Sequence, residues 1–246
     1  MGQSLTKSKP LIVELVGLPG AGKTTLSKQL VSKFKERGLQ VIFRDKILHQ
    51  WHQKNPWQKL MQLLPHNFNH WNILINSLIF ALQVKPINRQ SFSKAIKIFT
   101  NAKRNDTVFQ SSDCDLILLD QGLLQETWSV SVTGSPPATK YLKQEITLLF
   151  HNRPTIVLHC QIDIDTALSR VQNRQTMTSR FDLMDANQAH SILEKYSLYL
   201  DEIVSCARIN KIPILEIDSS RSIAEQSEKA IGWIESQLTQ LAIVPY

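Results

Sequence analysis

The residues Gly17-Leu18-Pro19-Gly20-Ala21-Gly22-Lys23-Thr24 constrain this chain more than any other stretch. They follow a short apolar run, Leu11–Val16, which is rich in branched side chains and reads as a buried parallel strand. A helical pattern from Gly22 to Arg37 follows them, with Leu26, Leu30, Val31 and Phe34 on one face and Gly38 at its end. A glycine-rich turn between a buried strand and a helix start is the pattern of a phosphate-binding loop. The composition has a physical reason. Backbone N–H groups must point inward around an anion, at φ values that side chains oppose, and the helix start adds the positive end of its dipole. Three of the chain's eight glycines fall within positions 17–22. Gly17, Leu18, Pro19, Gly20, Ala21, Gly22, Lys23, Thr24 and Thr25 are therefore the candidate residues for holding a nucleoside triphosphate. Lys23 would neutralise the β- and γ-phosphates, and the Thr24 hydroxyl would hold Mg²⁺.

Further strands are read at Val41–Phe43, Leu116–Leu119, Thr155–Cys160 and Ile212–Ile217, the last placed at a sheet edge or begun one residue later by Pro213. Between and after them, Asp163 caps a helix running to Arg174, a long helical pattern covers Ala186–Asn210, and Ser222 with Glu225 forms a capping box. Such alternation predicts an α/β three-layer sandwich with a five-stranded parallel sheet. Residues 46–113 interrupt it with helical pattern and no strand, a helical insert between strands two and three. The stripes Trp57–Leu60–Met61–Leu64, Trp71–Leu74–Ile75–Leu78–Ile79–Leu82 and Phe92–Ala95–Ile96–Phe99 read there as core contacts. No linker is rich enough in glycine and serine to divide 246 residues, so 1–246 is read as one domain.

The net charge of +7 is unevenly spread. No acidic residue lies between Lys46 and Asn105, whereas nine Lys or Arg do; without those nine the chain is slightly acidic, 19 basic against 21 acidic residues. Lys94, Lys97 and Arg104 read as one basic helix side opposite Phe92, Ala95, Ile96 and Phe99. The excess charge points to an anionic small-molecule acceptor or, in an ATPase or switch protein, to an anionic macromolecule. No recognised nucleic-acid module supports the second reading. Apolar runs are far too short for a membrane span, no secretory leader opens the chain, and three cysteines form no metal spacing. Reduced thiols and a cytoplasmic location are expected. Met1–Thr6 matches a myristoylation pattern and is read as an unmodified terminus.

Two further groups suit phosphate chemistry. Asp120 follows the apolar run Leu116–Leu119, and a carboxylate at the carboxyl end of a parallel strand sits at the ligand crevice. It would either orient Mg²⁺ or contact substrate. Arg170 and Arg174 lie one helical turn apart and Arg180 follows in a polar loop; guanidinium forks stabilise the charge of a transferring phosphoryl group.

Together these pieces resemble the nucleoside- and nucleotide-kinase branch of P-loop proteins, most closely the thymidylate kinase-like group. The resemblance rests on the phosphate loop, Asp120, Thr155–Arg174, Ser179-Arg180-Phe181-Asp182 as a lid signature, and Ile214–Asp218 followed by Ser219-Ser220-Arg221, which looks like the loop lining the adenine. Arg44-Asp45 holds the place of the family's basic–acidic pair, whose acidic member serves related deoxynucleoside kinases as catalytic base. The chain departs from the pattern at Gln121, where the family usually has arginine. The resemblance implies ATP- and Mg²⁺-dependent phosphorylation of a small molecule, a nucleoside or nucleoside monophosphate above all. Lys23, Asp45, Asp120, Arg174 and Arg180 would be catalytic, Thr24 and Asp120 would serve the metal, and 175–185 would be a lid. A homodimer is compatible with the sequence, which does not fix the oligomeric state.

Overall fold

A computed structural model describes residues 9–53, 55, 57, 58, 61, 64, 68–87, 89–151, 153–173 and 184–243. Its strands are β1 (Leu11–Gly17), β2 (Val41–Phe43), β3 (Leu116–Leu119), β4 (Thr155–Gln161) and β5 (Ile214–Asp218). They pair in parallel in the order β2-β3-β1-β4-β5. This is the expected five-stranded sheet. Because β3 lies on one side of β1 and β4 on the other, the chain reverses direction across β1, and a ligand crevice opens beyond the strand ends there. β5 is an edge strand and starts at Ile214, two residues later than Ile212: Pro213 has no N–H to give the ladder, although its carbonyl accepts from Val157 N at 2.9 Å.

Around the sheet lie helices α1 (Lys23–Glu36), α2 (Arg44–His52), α3 (Phe68–Gln83), α4 (Arg89–Ser111), α5 (Leu123–Ser131), α6 (Thr139–Phe150), α7 (Ile164–Gln172), α8 (Ala186–Ile209) and α9 (Ile223–Ile243). Both predicted caps form. Thr166 N donates to Asp163 Oδ1 at 2.8 Å, and Ser222 and Glu225 exchange side-chain-to-backbone bonds as a capping box. Alternation along β1 sends Leu11, Val13 and Leu15 towards α1 and α9, and sends Glu14 and Val16 towards the α5 side. Among the described residues no helix is long and apolar enough to cross a membrane.

The insert corrects four expectations. Helix α3 turns Ile73, Asn76, Ser77, Phe80 and Ala81 inward; of the anticipated core stripe Leu74 packs half-buried against the core and Leu78 is half-buried, while Trp71 is 50% and Ile75 51% exposed and Ile79 and Leu82 are exposed as well. The reason is a buried acid on α6. Glu145 accepts from Ser77 Oγ at 2.7 Å and from Asn76 Nδ2, so the helix face that brings donors is the one drawn in. Trp57, Met61 and Leu64 are likewise exposed, and Leu60 lies outside the described residues. On α4 the buried face is Ala95, Ile98, Phe99 and Ala102, while Ile96 is exposed. The basic side expected there is reduced to the exposed Lys97: Lys94 donates to the Ser129 carbonyl and hydroxyl, and Arg104 lies over the Trp51 ring.

Two buried carboxyls give this fold a distinctive pH response. Burial pushes Glu14 and Glu145 each up to about 7, against the opposing pull of their hydrogen bonds. Both stay protonated in the folded chain where the unfolded chain has already ionised. The stability they contribute is therefore complete below the ordinary carboxyl range and is lost as pH rises towards 7. Glu145→Gln should reduce the decline in unfolding free energy between about pH 5 and pH 7 by about 1.4 kcal/mol per pH unit, measured by urea denaturation.

Candidate active site

The phosphate loop joins β1 to α1 with the predicted backbone. Gly20 and Gly22 have φ of +89° and +73°, values that penalise any side chain. A methyl group on Gly20 would also stand 2.4 Å from the Ala167 carbonyl oxygen, so α7 closes one wall of the loop. Gln125 of α5 fixes the loop's entry, its Oε1 accepting from Gly17 N at 3.1 Å. Lys23 folds back over the turn and donates to the carbonyls of Gly17 at 2.8 Å and Leu18 at 2.9 Å. Its ammonium thus stands over the concavity where phosphate oxygens would replace those carbonyls.

Asp120, at the end of β3, reaches the same point. Thr24 Oγ1 donates to Asp120 Oδ2 at 2.9 Å, although 96 residues separate the two in sequence. The other carboxylate oxygen, Oδ1, is buried, has no hydrogen bond, and lies 3.7 Å from Arg44 Nη1. A hydroxyl and a carboxylate converging beside a phosphate loop suit Mg²⁺, which takes one or two carboxylates and otherwise phosphates and water. Among the described residues no cluster of three or more His, Cys, Asp or Glu could hold a metal by itself. Thr24 and Asp120, the expected metal residues, are therefore brought together.

Asp45 is placed less directly. Helix α2 begins immediately after β2, so Arg44 and Asp45 occupy its first turn, and Arg44, not Asp45, points to Asp120. Asp45 is exposed at the same sheet edge. Arg104 of α4 extends this side: it hydrogen-bonds Asn101, lies 5.3 Å from the Trp51 ring centre, and feels both Arg44 and Glu126. Burial and the nearby Arg44 charge hold its guanidinium below the usual range. On the opposite flank a cavity of about 340 Å³ is lined by Gly20, Thr25, Arg170, Ser219, Arg221 and Gln226. Arg170 Nη2 donates to the Ser219 carbonyl at 3.1 Å, tying α7 to the loop after β5. The expected catalytic residues Arg174 and Arg180, and most of the 175–185 lid, lie outside the described residues.

Sequence reasoning missed Glu14. It lies beneath the site, its carboxylate accepting from Leu124 N at 3.3 Å, and a methyl group on Gly122 would come within 2.1 Å of it. The visible signal was one acid inside the apolar strand LIVELVG. Glu14 and Gly122 together set the turn between Asp120 and α5, which also carries Gln125.

The family model for deoxynucleoside kinase matches residues 13–240, nearly all of the strands and helices described above. The chain belongs to the deoxynucleoside kinase family. Among curated relatives it is 25% identical over 118 residues to a uridine kinase of Halalkalibacterium halodurans, covering 48% of this chain and 54% of that protein. It is 26% identical over 116 residues to a uridine kinase of Leuconostoc citreum, covering 47% and 54%. The chain thus spans about half the length of the curated relatives it matches. A solved deoxyadenosine kinase from M. mycoides with bound dATP shares the fold at a TM-score of 0.50 and 15% identity, covering 91% of this chain and 99% of that one.

Proposed function

We propose that this deoxynucleoside kinase family member transfers the γ-phosphoryl group of ATP to a hydroxyl of a nucleoside. The observation that carries the reading is the Thr24–Asp120 hydrogen bond with Arg44 beside it, at the mouth of a phosphate loop. Lys23 and the backbone of 17–22 hold the β- and γ-phosphates, and Gly20, Thr25, Arg170 and Ser219 border the donor nucleoside. Thr24 and Asp120 would hold Mg²⁺, which when bound neutralises charge on the phosphates. Asp45 accepts the proton of the attacking hydroxyl as the oxygen–phosphorus bond forms and ADP leaves. Arg174 and Arg180 would close over the transferring group, and the 175–185 lid would shield it from water.

The acceptor side argues for an uncharged nucleoside over a monophosphate. The sequence placed its excess charge next to this site, but Arg44 faces Asp120, Arg104 feels Glu126, and Lys94 and Lys103 donate to backbone carbonyls. Among the described residues that leaves Lys46, Lys85, Arg89 and Lys97 exposed, fewer charges for an acceptor phosphate than the sequence placed in the insert. We treat 1–246 as one domain in which 46–113 shapes the acceptor side. We retain a thymidylate kinase-like affinity for the second half, supported by the Thr155–Arg174 and lid sequences. The exposed apolar face of α3 suits a homodimer, which the molar mass in solution tests. Three buried free thiols suit the cytoplasmic setting we propose.

The relatives' names make uridine and deoxyadenosine the first acceptors to try. With Mg²⁺ and ATP, a panel of nucleosides and nucleoside monophosphates should give transfer to at least one nucleoside and weaker transfer to its monophosphate. Transfer to monophosphates alone would overturn the acceptor reading, and transfer to no member would overturn the kinase reading.

A further inference from the structure

At the opposite end of the strands from the phosphate loop, a cavity of about 450 Å³ opens between the starts of β1, β4 and β5, the ends of α6 and α8, and Gln237 of α9. Phe150, Ile212 and Pro213 give it apolar walls. Among the described residues none of its lining side chains is acidic, whereas His151, Arg153 and Lys211 are basic. The volume lies in the range of small-molecule sites, which combine apolar walls with a few placed polar groups.

Thr155 and Lys211 are unspent among them. Thr155 is only 7% exposed, and its hydroxyl has no hydrogen-bond partner among the described residues. A buried hydroxyl left unpaired loses the hydration it had in the unfolded chain and gains nothing in exchange, so it marks a place for an absent partner. Lys211 is the second. Helix α8 ends in a Schellman motif, with Lys211 N donating to the Arg208 carbonyl at 2.8 Å and Ile212 N to the Ala207 carbonyl at 3.1 Å. The residue after the cap must adopt left-handed backbone, and glycine is the usual choice. Here it is Lys211, at φ +60°, the one non-glycine residue with positive φ among those described. Its side chain lines the cavity and makes no ion pair or hydrogen bond among the described residues. Lysine at this φ costs more backbone energy than glycine would, and Lys211 is exposed, so its ammonium is free to reach a ligand.

Of the other polar groups, His151 also makes no side-chain hydrogen bond or ion pair among the described residues, whereas Arg153, Asn210, Thr147 and Gln237 are engaged. Arg153 forms a two-pronged pair with Asp106 at 2.7 Å for both contacts, and Asn210 bonds Thr147 and the Cys206 carbonyl. The carbonyls of Cys206, Ala207 and Arg208 are taken up by the cap of α8.

We propose that this cavity binds a small amphipathic oxyanion, a carboxylate or phosphate monoester on a planar or apolar body, with Lys211 and Thr155 holding the charged end. The site is separate from the kinase site and does not depend on the kinase reading. Binding is measured by isothermal titration calorimetry on the full chain saturated with Mg²⁺ and adenylyl imidodiphosphate, so that the phosphate loop is filled. The probes are 2-naphthoate, uridine monophosphate and deoxyadenosine monophosphate, which separate the carboxylate from the phosphate source. At least one should bind, and Lys211→Gly should weaken it by about tenfold or more while raising Tm, because glycine relieves the backbone. Thr155→Val should weaken the same probe, and Lys23→Ala should leave its affinity unchanged. No binding by any probe would overturn the proposal. So would binding that Lys211→Gly and Thr155→Val leave intact, or that Lys23→Ala abolishes.

Discussion

Lys23→Ala should lose phosphoryl transfer by about 10³-fold while its urea midpoint stays close to that of the parent chain. The expectation rests on two features of the site. The Lys23 ammonium is partly buried over the turn and is held by two loop carbonyls, a resting position that a triphosphate's oxygens would take over. Its charge is therefore already aimed where negative charge gathers as the phosphoryl group departs, and no reorganisation is needed at the moment of transfer. Removing the side chain leaves two carbonyls that can face water, so the cost to folding is small. The measurement is initial-rate kinetics with the nucleoside that the panel identifies, alongside denaturation of the same preparation. Turnover within a few-fold of the parent would remove Lys23 from the chemistry and with it the mechanism. A collapse in stability would show instead that the lysine's carbonyl contacts hold the loop.

The sheet was legible in the sequence because buried parallel strands are short continuous apolar runs between turn residues, as at Leu11–Val16 and Leu116–Leu119. The phosphate loop was legible because its glycines answer a backbone requirement that few other turns impose. What failed was the facing of helices. Periodicity on α3 finds a continuous apolar stripe, Trp71 to Leu82, but cannot know that Glu145 waits on α6 and must be met by Asn76 and Ser77. The partner is 68 and 69 residues away, so the deciding interaction is invisible to any local window. Charge failed in the same way: the nine basic residues of the insert stand together in one stretch of sequence, yet Lys94, Lys103 and Arg104 are spent on carbonyls and a tryptophan ring. Composition locates charge along a chain; only packing shows which of it remains free. The pairing of Thr24 with Asp120 lay between these cases. Each residue was legible alone, and the 2.9 Å contact needed the fold.

Asp120→Asn should reduce kcat by about 10²- to 10³-fold with a smaller change in KM for the nucleoside. Asparagine keeps the size of the side chain and, through its amide oxygen, can still accept from Thr24. What it removes is the negative charge that faces Arg44 and that would serve Mg²⁺. The two losses have separate readouts. If Asp120 serves the metal, the variant's activity should need higher Mg²⁺, and its rate should recover partly as Mg²⁺ is raised. If its main role is to restrain Arg44, then Arg44→Ala should cost little when added to Asp120→Asn, because removal of either partner already breaks the pair. The double-mutant cycle decides between them. Additive losses in kcat would assign Asp120 to the metal and Arg44 to a charge of its own on the phosphoryl group, supplying near β3 a guanidinium that Gln121 does not. A double variant no worse than Asp120→Asn alone would make Arg44 a partner of that carboxylate only. Unchanged kcat in Asp120→Asn at low Mg²⁺ would remove the carboxylate from both roles, and the Thr24 contact would then serve only to fasten the loop to β3.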